Sequence, residues 1–584
     1  MLGKRNLQND LFLPENRLRE KIGKESFYVF LSDHRHEMYT DEDFAFLYCS
    51  NNGRESVPPS LIATALLLQS YDRVSDQEAT DRAKFDQRWQ VALGVGDDEQ
   101  PFAKSTLCMF RNQLIIHEKG KMIFAKGLNF LAQKGFTKKN KKTFAIDTTP
   151  IFGRGAVEDT FNMLAEGLRQ TLNVLAEIAQ QPMEDYSRAH DFSRYSASSF
   201  KGTWSIDWDN DEQRQIVLHS LVADCRRILF MASEKLSSLD KESDDAHRLL
   251  SATELLSKLL AQDIREISPE KAELIDGVAK DRIISVHDPE MRHGRKSASE
   301  RFDGHKAAIA VDVETQVIAE VDVLPGNAHD SQNAAALIEQ ASKNLDAEIE
   351  CVLGDGAYGT VEARLEADAH NYNLIAPVGR AQQTGRFTKE DFTIDIEGGT
   401  VTCPAGETTT RWNLQTTTTQ RGTTFKNKSF KFSVKQCCRC LLRSQCLKEK
   451  TPYRSVLVHE HEALIREKKQ FQRTEEFRQM YRKRVVVEHR LARLVRLGIR
   501  NARYFGMKKV LFQLAMAAAV ANLTLYASVA SSSLFFIAAL HMFAFWLAIN
   551  LQRMSYRRLY FQTVIGFVPI FELSRKRGGS RPGF

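Results

Sequence analysis

The first 18 residues, MLGKRNLQNDLFLPENRL, have no apolar core of the kind that directs export, so no signal peptide is expected. The cysteines fit a reducing compartment as well. There are nine, and five of them crowd between Cys403 and Cys446, too clustered for a distributed disulfide framework. The most apolar run, Leu534–Ile549, is too short to cross a bilayer comfortably. Its 16 residues would rise about 24 Å as a helix, against a hydrocarbon core of roughly 30 Å, and His541 falls at its middle. A segment apolar on every side belongs in a core or against a second copy of the chain. No membrane location is expected.

Neither sign of charge is in large excess, since the formal net charge is only +7. Its distribution is uneven, however. Arg466–Lys509 holds 15 Lys and Arg against four Glu, a surplus of 11 that leaves the remaining chain net acidic. A basic stripe on an acidic body suits a polyanion. At 584 residues the chain is too long for a single core, and three or four domains are expected.

Residues 1–135 read as helices. Pro58-Pro59-Ser60 opens the apolar run Leu61–Gln69, with Ser60 a fitting N-cap, and another helix starts near Ser105. Arg82, Lys84, Arg88, Lys104 and Arg111 could dock these helices on a duplex, the alternative being plain packed bundle elements. Lys141–Pro150 (KKTFAIDTTP) is a short strand ending at Asp147 and a breaker. Residues 156–280 are helical and polar, with helices over Leu164–Ile178 and Leu236–Ile267, and carry no catalytic grouping. Arg301–Asp312 and Gln316–Leu324 make a hairpin, followed by helix Ser331–Leu345. Strand Ile349–Gly359 brings Asp355 to its end, and helix Val361–His370 and strand Asn373–Val378 complete the sheet. That succession is a ribonuclease-H-like mixed sheet. It makes 140–155 and 281–380 one core, interrupted by the helical insertion 156–280 within a multidomain α/β chain.

Residues 381–460 are Thr-rich and β-prone, a second insertion. Cys437-x-x-Cys440 with Cys446 and Cys403 offers four thiolates for a tetrahedral structural Zn²⁺, while four reduced, metal-free thiols are the alternative. Trp412 in the same block would stack on an unpaired base if exposed, or fill a core. Residues 461–527 are the final helices, and 528–584 hold the apolar segment and a basic tail.

The chain is organised around Tyr481–Arg496 (YRKRVVVEHRLARLVR). Read as one helix, it stacks Tyr481, Arg484 and Glu488 on a single face at i, i+3 and i+7. A basic surface helix with one internal ion pair would look similar. Asp147, Asp355 and Glu488 lie 208 and 133 residues apart, so only a fold can unite them. Three carboxylates can hold two divalent ions about 3.5–4 Å apart for displacement at phosphorus, and hard oxygen ligands favour Mg²⁺ or Mn²⁺.

Ala145-Ile-Asp147-Thr-Thr, Arg301-Phe-Asp-Gly-His-Lys306, Pro325-Gly-Asn-Ala-His-Asp330, Gly354-Asp-Gly-Ala-Tyr358 and Tyr481-x2-Arg484-x3-Glu488, taken in this order, resemble a bacterial insertion-sequence transposase of the DDE class. The resemblance runs from the helical N-terminal block to about Leu525. It implies a catalytic and metal-binding triad of Asp147, Asp355 and Glu488, and DNA-phosphate contacts from Tyr481 and Arg484. It also implies a cytoplasmic, nucleoid-associated protein that binds double-stranded DNA, element ends and target, as a homodimer, and that cleaves and transfers strands. The family pattern often continues to a Lys seven residues after the Glu. Here Val495 stands there, flanked by Arg493 and Arg496, which are candidate phosphate contacts instead. A ribonuclease-H-like nuclease without strand transfer, and a domesticated DNA-binding protein without catalysis, are the competing readings.

Overall fold

Apolar side chains repeated at helical spacing set the described part of the first 133 residues into the α-helices α1 (Pro14–Ile22), α2 (Phe27–Met38), α3 (Pro59–Asp72), α4 (Asp76–Phe85), α5 (Gln87–Leu93), α6 (Lys104–Ile116) and α7 (Met122–Gln133). The computed structural model describes residues 1–530 apart from 6–13, 50–52, 98, 269–270, 278, 280, 298, 380–384 and 420. The apolar segment Leu534–Ile549 and the basic tail fall outside the described residues.

Helix α3 is the centre of this block and is buried from Pro59 to Gln69. Ser60 does not cap it. Pro59 occupies the first turn, and the Ser60 N–H donates instead to the buried Asp41 at 2.9 Å. Three of the five cations proposed for a duplex pair with carboxylates of this block, and of the three only Arg111 is buried. Arg82 pairs with Asp72 and Glu78, and Arg88 pairs with Asp86. The Arg111 side chain is only 4% exposed and sits 2.6 Å from Asp76. Its other nitrogen lies 2.5 Å from the hydroxyl of Tyr504, so it ties α6 and α4 to a segment nearly 400 residues away. Lys104 is exposed, and Lys84 lies over the Phe85 ring.

The central sheet contains β1 (Lys142–Phe152), β4 (Arg292–Arg295), β5 (Arg301–Asp312), β6 (Ile318–Pro325), β7 (Ile349–Leu353) and β8 (Asn373–Ile375). Between β1 and β4 a small two-stranded hairpin is formed by β2 (Ile264–Ser268) and β3 (Lys271–Leu274). β5 is antiparallel to β1 on one side and to β6 on the other, and the short β4 extends that second edge. β7 pairs parallel to β1, and β8 parallel to β7. Helix α12 (Ala334–Leu345) links β6 to β7, and α13 (Val361–Ala369) links β7 to β8. The expected hairpin, helix and strands are therefore all present, with ends shifted by a few residues. Gly304 in β5 has φ +147°, and a Cβ there would lie 2.2 Å from the Ile151 carbonyl. The close approach of β5 to β1 explains why glycine occupies that position.

β1 differs from expectation. It does not stop at Asp147 but continues through Pro150 to Phe152. β7 pairs with β1 only as far as Ala145. Beyond it β1 keeps β5 alone as a strand neighbour, so the missing N–H of Pro150 breaks no ladder. Asp147 thus emerges where β1 passes the end of β7.

The first insertion has its own apolar core, built from α8 (Thr160–Ile178), α10 (Asp211–Ser238) and α11 (Asp244–Asp263), with the short α9 (Met183–Ala189) beside them. The helix expected over Leu236–Ile267 is broken at Leu239–Ser243, where Ser243 caps α11 by accepting from the Ala246 N–H. The second insertion is β-rich, as expected. One three-stranded sheet has the order β11 (Thr408–Thr409), β10 (Thr400–Thr402), β9 (Thr393–Asp395), and a second has β12 (Trp412–Thr418), β13 (Thr424–Lys431), β14 (Ser455–Val458). The short helices α14 (Val434–Arg439) and α15 (Arg443–Cys446) carry most of its cysteines.

Helices α16 (Glu462–Phe471), α17 (Glu475–Arg482) and α18 (Val485–Leu494) follow, and α18 lies across β1 and β5. α19 (Met507–Ala530) is long and apolar enough to cross a membrane by length and composition, yet 72% of its most apolar window is buried within the protein. Asn522 on α19 bonds both the N–H and the carbonyl of Ile318, closing the start of β6. Contacts divide the chain into a unit of residues 1–523 and a second of residues 524–584, whose described part is the last turns of α19.

Arg111 is here a structural ion-pair partner. Arg111→Ala leaves the Asp76 carboxylate without its partner and should lower unfolding free energy by about 3 kcal/mol in urea titrations. Lys104→Ala should change it by less than about 0.5 kcal/mol. Equal effects of the two substitutions would contradict this assignment.

Candidate functional site

Three elements bring the three acids into the surroundings of Arg484 and Tyr481. β1 carries Asp147 past the end of β7, the turn after β7 carries Asp355, and α18 carries Glu488 across the sheet. Asp355 caps its own turn, its Oδ1 accepting from the Ala357 N–H at 2.9 Å. Asp147 Oδ1 accepts from the Thr148 N–H at 2.8 Å. The expected continuous helix over 481–496 is interrupted at Lys483–Arg484, between α17 and α18. Tyr481, Arg484 and Glu488 nevertheless gather at the acids, and Tyr481 lies within the field of all three.

Arg484 is the hub. Its two terminal nitrogens each donate at 2.6 Å, one to Asp147 Oδ2 and the other to Glu488 Oε1. The guanidinium is 11% exposed and Asp147 is 16% exposed, whereas Glu488 is 56% exposed. Burial pushes the Asp147 carboxyl up to about 6 from its ordinary 3.8. Arg484 and the Thr148 N–H pull it down, and the nearby Asp355 and Asp330 push it up again. The ion pair therefore recovers only part of the desolvation cost. The same carboxylates hold the Arg484 guanidinium above its ordinary range.

Several groups at this place had no role in the sequence reading. Asp330 is a fourth acid here. Its Oδ1 accepts from Lys306 Nζ at 2.7 Å and from the Thr148 hydroxyl at 2.8 Å. Tyr358 is buried in the field of Asp147, Asp330 and Asp355, and its phenol is held well above the ordinary range, by burial first. Both residues stand in motifs visible in the sequence, Ala328-His-Asp330 and Gly354-Asp-Gly-Ala-Tyr358, so the signal was available. Arg490, nearly two turns beyond Arg484 along α18, is buried with Nε and Nη2 unbonded, and burial lowers it to about 10.

The remaining candidates lie on other elements. Arg493 is half-buried and Arg496 exposed, at the end of α18 and in the π-helical turn after it. Trp412 is 44% exposed rather than core, with Lys428 over its ring at 5.0 Å. It stands at the opposite end of the β12–β13 hairpin from the tip, where Thr419 and Arg421 bond Glu362 and Glu366 of α13. Cys403, Cys437, Cys440 and Cys446 line one small cavity with Phe432 and Leu447, while Cys438 points to solvent. Among the described residues, no group of three or more His, Cys, Asp or Glu side chains is placed to hold a metal ion.

A group with a raised folded pKa keeps its proton more readily when folded, so an ionised Asp147 lowers stability as pH rises from about 4 through 6. Asp147→Asn removes that titration. Its gain in unfolding free energy over the parent should be larger by about 1 kcal/mol near pH 7.5 than near pH 5. The same gain at both pH values would mean that the Asp147 carboxyl is not raised.

Two family models match this chain. The transposase DDE domain covers residues 402–527, and a transposase domain (DUF772) covers residues 16–113. The first takes in the β-rich insertion from β10 onward, α18 with Glu488, and most of α19, and the second takes in α1–α6. No curated protein and no solved structure matches the chain. Members of the DDE class generally use divalent metal ions and act on DNA in transposition. These two matches, together with the ordered motifs of the sequence, support an insertion-sequence transposase of the DDE class.

Proposed function

We propose that this transposase binds the terminal inverted repeats of its element as a homodimer, and that Asp147, Asp355 and Glu488 hold two Mg²⁺ or Mn²⁺ ions for DNA strand cleavage and strand transfer. The observation that carries the proposal is Arg484. Acids more than a hundred residues apart are gathered around one cation, so the site is built to hold positive charge between carboxylates. The strand order β6-β5-β1-β7-β8, with only β5 reversed against β1, supports a ribonuclease-H-like core. Bound between these acids, the ions would activate a water or 3′-hydroxyl and stabilise the leaving oxygen at phosphorus.

The chain's own groups do the rest. Arg484 screens the Asp147 and Glu488 carboxylates from one another. With ions held by those acids, the Arg484 guanidinium would be available to a phosphate oxygen. Tyr481, whose ring stacks on Phe477 at 5.4 Å, is held to contact the same backbone. Arg493 and Arg496 extend the phosphate track along α18. The helical block 1–135 engages the element end through exposed groups such as Lys104, because Arg82, Arg88 and Arg111 are internally paired. Trp412 and Lys428 give the second insertion a DNA-facing patch. The four cysteines around one cavity are proposed to take a structural Zn²⁺, with the cytoplasm and nucleoid as the protein's setting and no membrane involved.

Asp147→Asn, Asp355→Asn and Glu488→Gln should each reduce cleavage of DNA carrying the element's ends by at least about 10³-fold, with end binding retained in gel-shift assays. Near-parental cleavage by any one would remove that residue from the triad. Joining of pre-cut ends to a supercoiled target separates a transposase from a simple nuclease. Arg484→Ala should weaken end binding and lower the salt slope by about one.

Metal analysis of the purified chain should give one zinc per protein, and Cys437→Ser with Cys440→Ser should abolish it. A zinc-free, fully folded parent protein would show four plain thiols.

A further inference from the structure

Past Ala145 β1 has β5 as its strand partner, Pro150 contributes no N–H, and the 500–502 backbone meets β1 again only at Phe152. Successive side chains alternate between sheet faces, so Asp147 faces α18 and Thr148 faces the opposite side. On that opposite side Thr148 is clamped. Its hydroxyl donates to Asp330 Oδ1 at 2.8 Å, while its N–H donates to Asp147 Oδ1 at 2.8 Å. Asp330 is itself fixed, because Lys306 Nζ donates at 2.7 Å both to Asp330 Oδ1 and to the Ala328 carbonyl. The Lys306 side chain is only 10% exposed, so its ammonium has few other acceptors available. Lys306 and Thr148 are diagonal neighbours on one face, since Pro150 pairs with Lys306 and Thr148 with Ala308.

We propose that Asp330, anchored by Lys306, is a positioning residue for Asp147: through Thr148 it fixes the strand from behind the sheet and so sets the direction of the Asp147 carboxylate. The two motifs that the acid triad leaves without a role, Gly304-His-Lys306 and Ala328-His-Asp330, then form one device. Partners of this outer layer typically change metal affinity or activity by about 10–100-fold when removed. The proposal rests on the reading that Asp147 ligates a divalent ion, and the experiment separates the two.

The probe is Mn²⁺ alone, titrated into the full chain and followed by electron paramagnetic resonance, with cleavage of end-bearing DNA as a second readout. Asp330→Ala and Thr148→Val should each weaken Mn²⁺ binding by about tenfold or more, and the double variant should lose little beyond either single change. Asp330→Asn keeps an acceptor for both donors. It should retain affinity within about threefold of the parent, and it also serves if Asp330→Ala fails to fold. Loss in Asp330→Ala and Asp330→Asn with a neutral Thr148→Val would make Asp330 a direct ligand and overturn the positioning role. Loss in Asp147→Asn without loss in Asp330→Ala would overturn this proposal alone. Unchanged Mn²⁺ affinity in Asp147→Asn would overturn the metal reading and this proposal with it.

Discussion

Carboxylates in one place repel each other, and burial makes each charge dearer still. A fold that gathers Asp147, Asp355, Asp330 and Glu488 must therefore bring cations with it. Here they are Arg484 and Lys306, one on each side of β1. Arg484 bridges Asp147 and Glu488 from the α18 face, and Lys306 holds Asp330 from the opposite face. Much of the surrounding architecture keeps these two cations in place. The break between α17 and α18 puts Arg484 at the start of α18, with its side chain reaching the strand. Beyond α18, Arg500 bonds the Thr149 hydroxyl and the Pro150 carbonyl, and the backbone of 500–502 exchanges hydrogen bonds with Phe152. The helix that carries Glu488 is thereby fastened to the strand that carries Asp147.

The same fastening reaches the N-terminal helices. Arg503 donates to the Val74 carbonyl, and Tyr504 meets Arg111, which is buried against Asp76. A displacement of α4 and α6 would therefore act directly on the segment behind α18. In a protein proposed to recognise DNA with the first block and cut it with the last, this connection is a short mechanical path. It also accounts for a correction to the sequence reading. A buried arginine and an exposed one look alike in a helical sequence, and only the carboxylate supplied by another helix reveals which is which.

The two insertions are self-sufficient, which explains how they interrupt the sheet without distorting it. The first closes its own core around Leu168, Leu221 and Leu256. The second packs Phe392, Val401, Phe430 and Val456 into another, with three of the four cysteines at its margin. The first leaves the sheet at Phe152 and re-enters it at Arg292, both of which pair with Gly304. β1 and β5 can therefore pair across more than 150 residues, and α18 can return to β1 after a β-rich excursion.

By itself, the sequence determined the local elements and the chemistry. The apolar runs of β5 and β6, the glycines around Asp355 and the Tyr-x2-Arg-x3-Glu spacing each express short-range constraints that need no partner to be read. The ordered motifs sufficed for the family, which the two transposase matches bear out. The tertiary structure alone decided where β1 ends, because Pro150 is tolerated only once β7 has stopped beside it. It alone decided that Arg484 faces two acids, that Asp330 reaches Thr148, and that Arg111 faces inward. Trp412, equally apt for a core or a surface by composition, is left half in solvent because β12 is the outer strand of its sheet. The physical reason is common to all of these. Burial and charge pairing are set by neighbours that are distant in sequence, and a single chain read in order carries no record of which of its many acids and cations will meet.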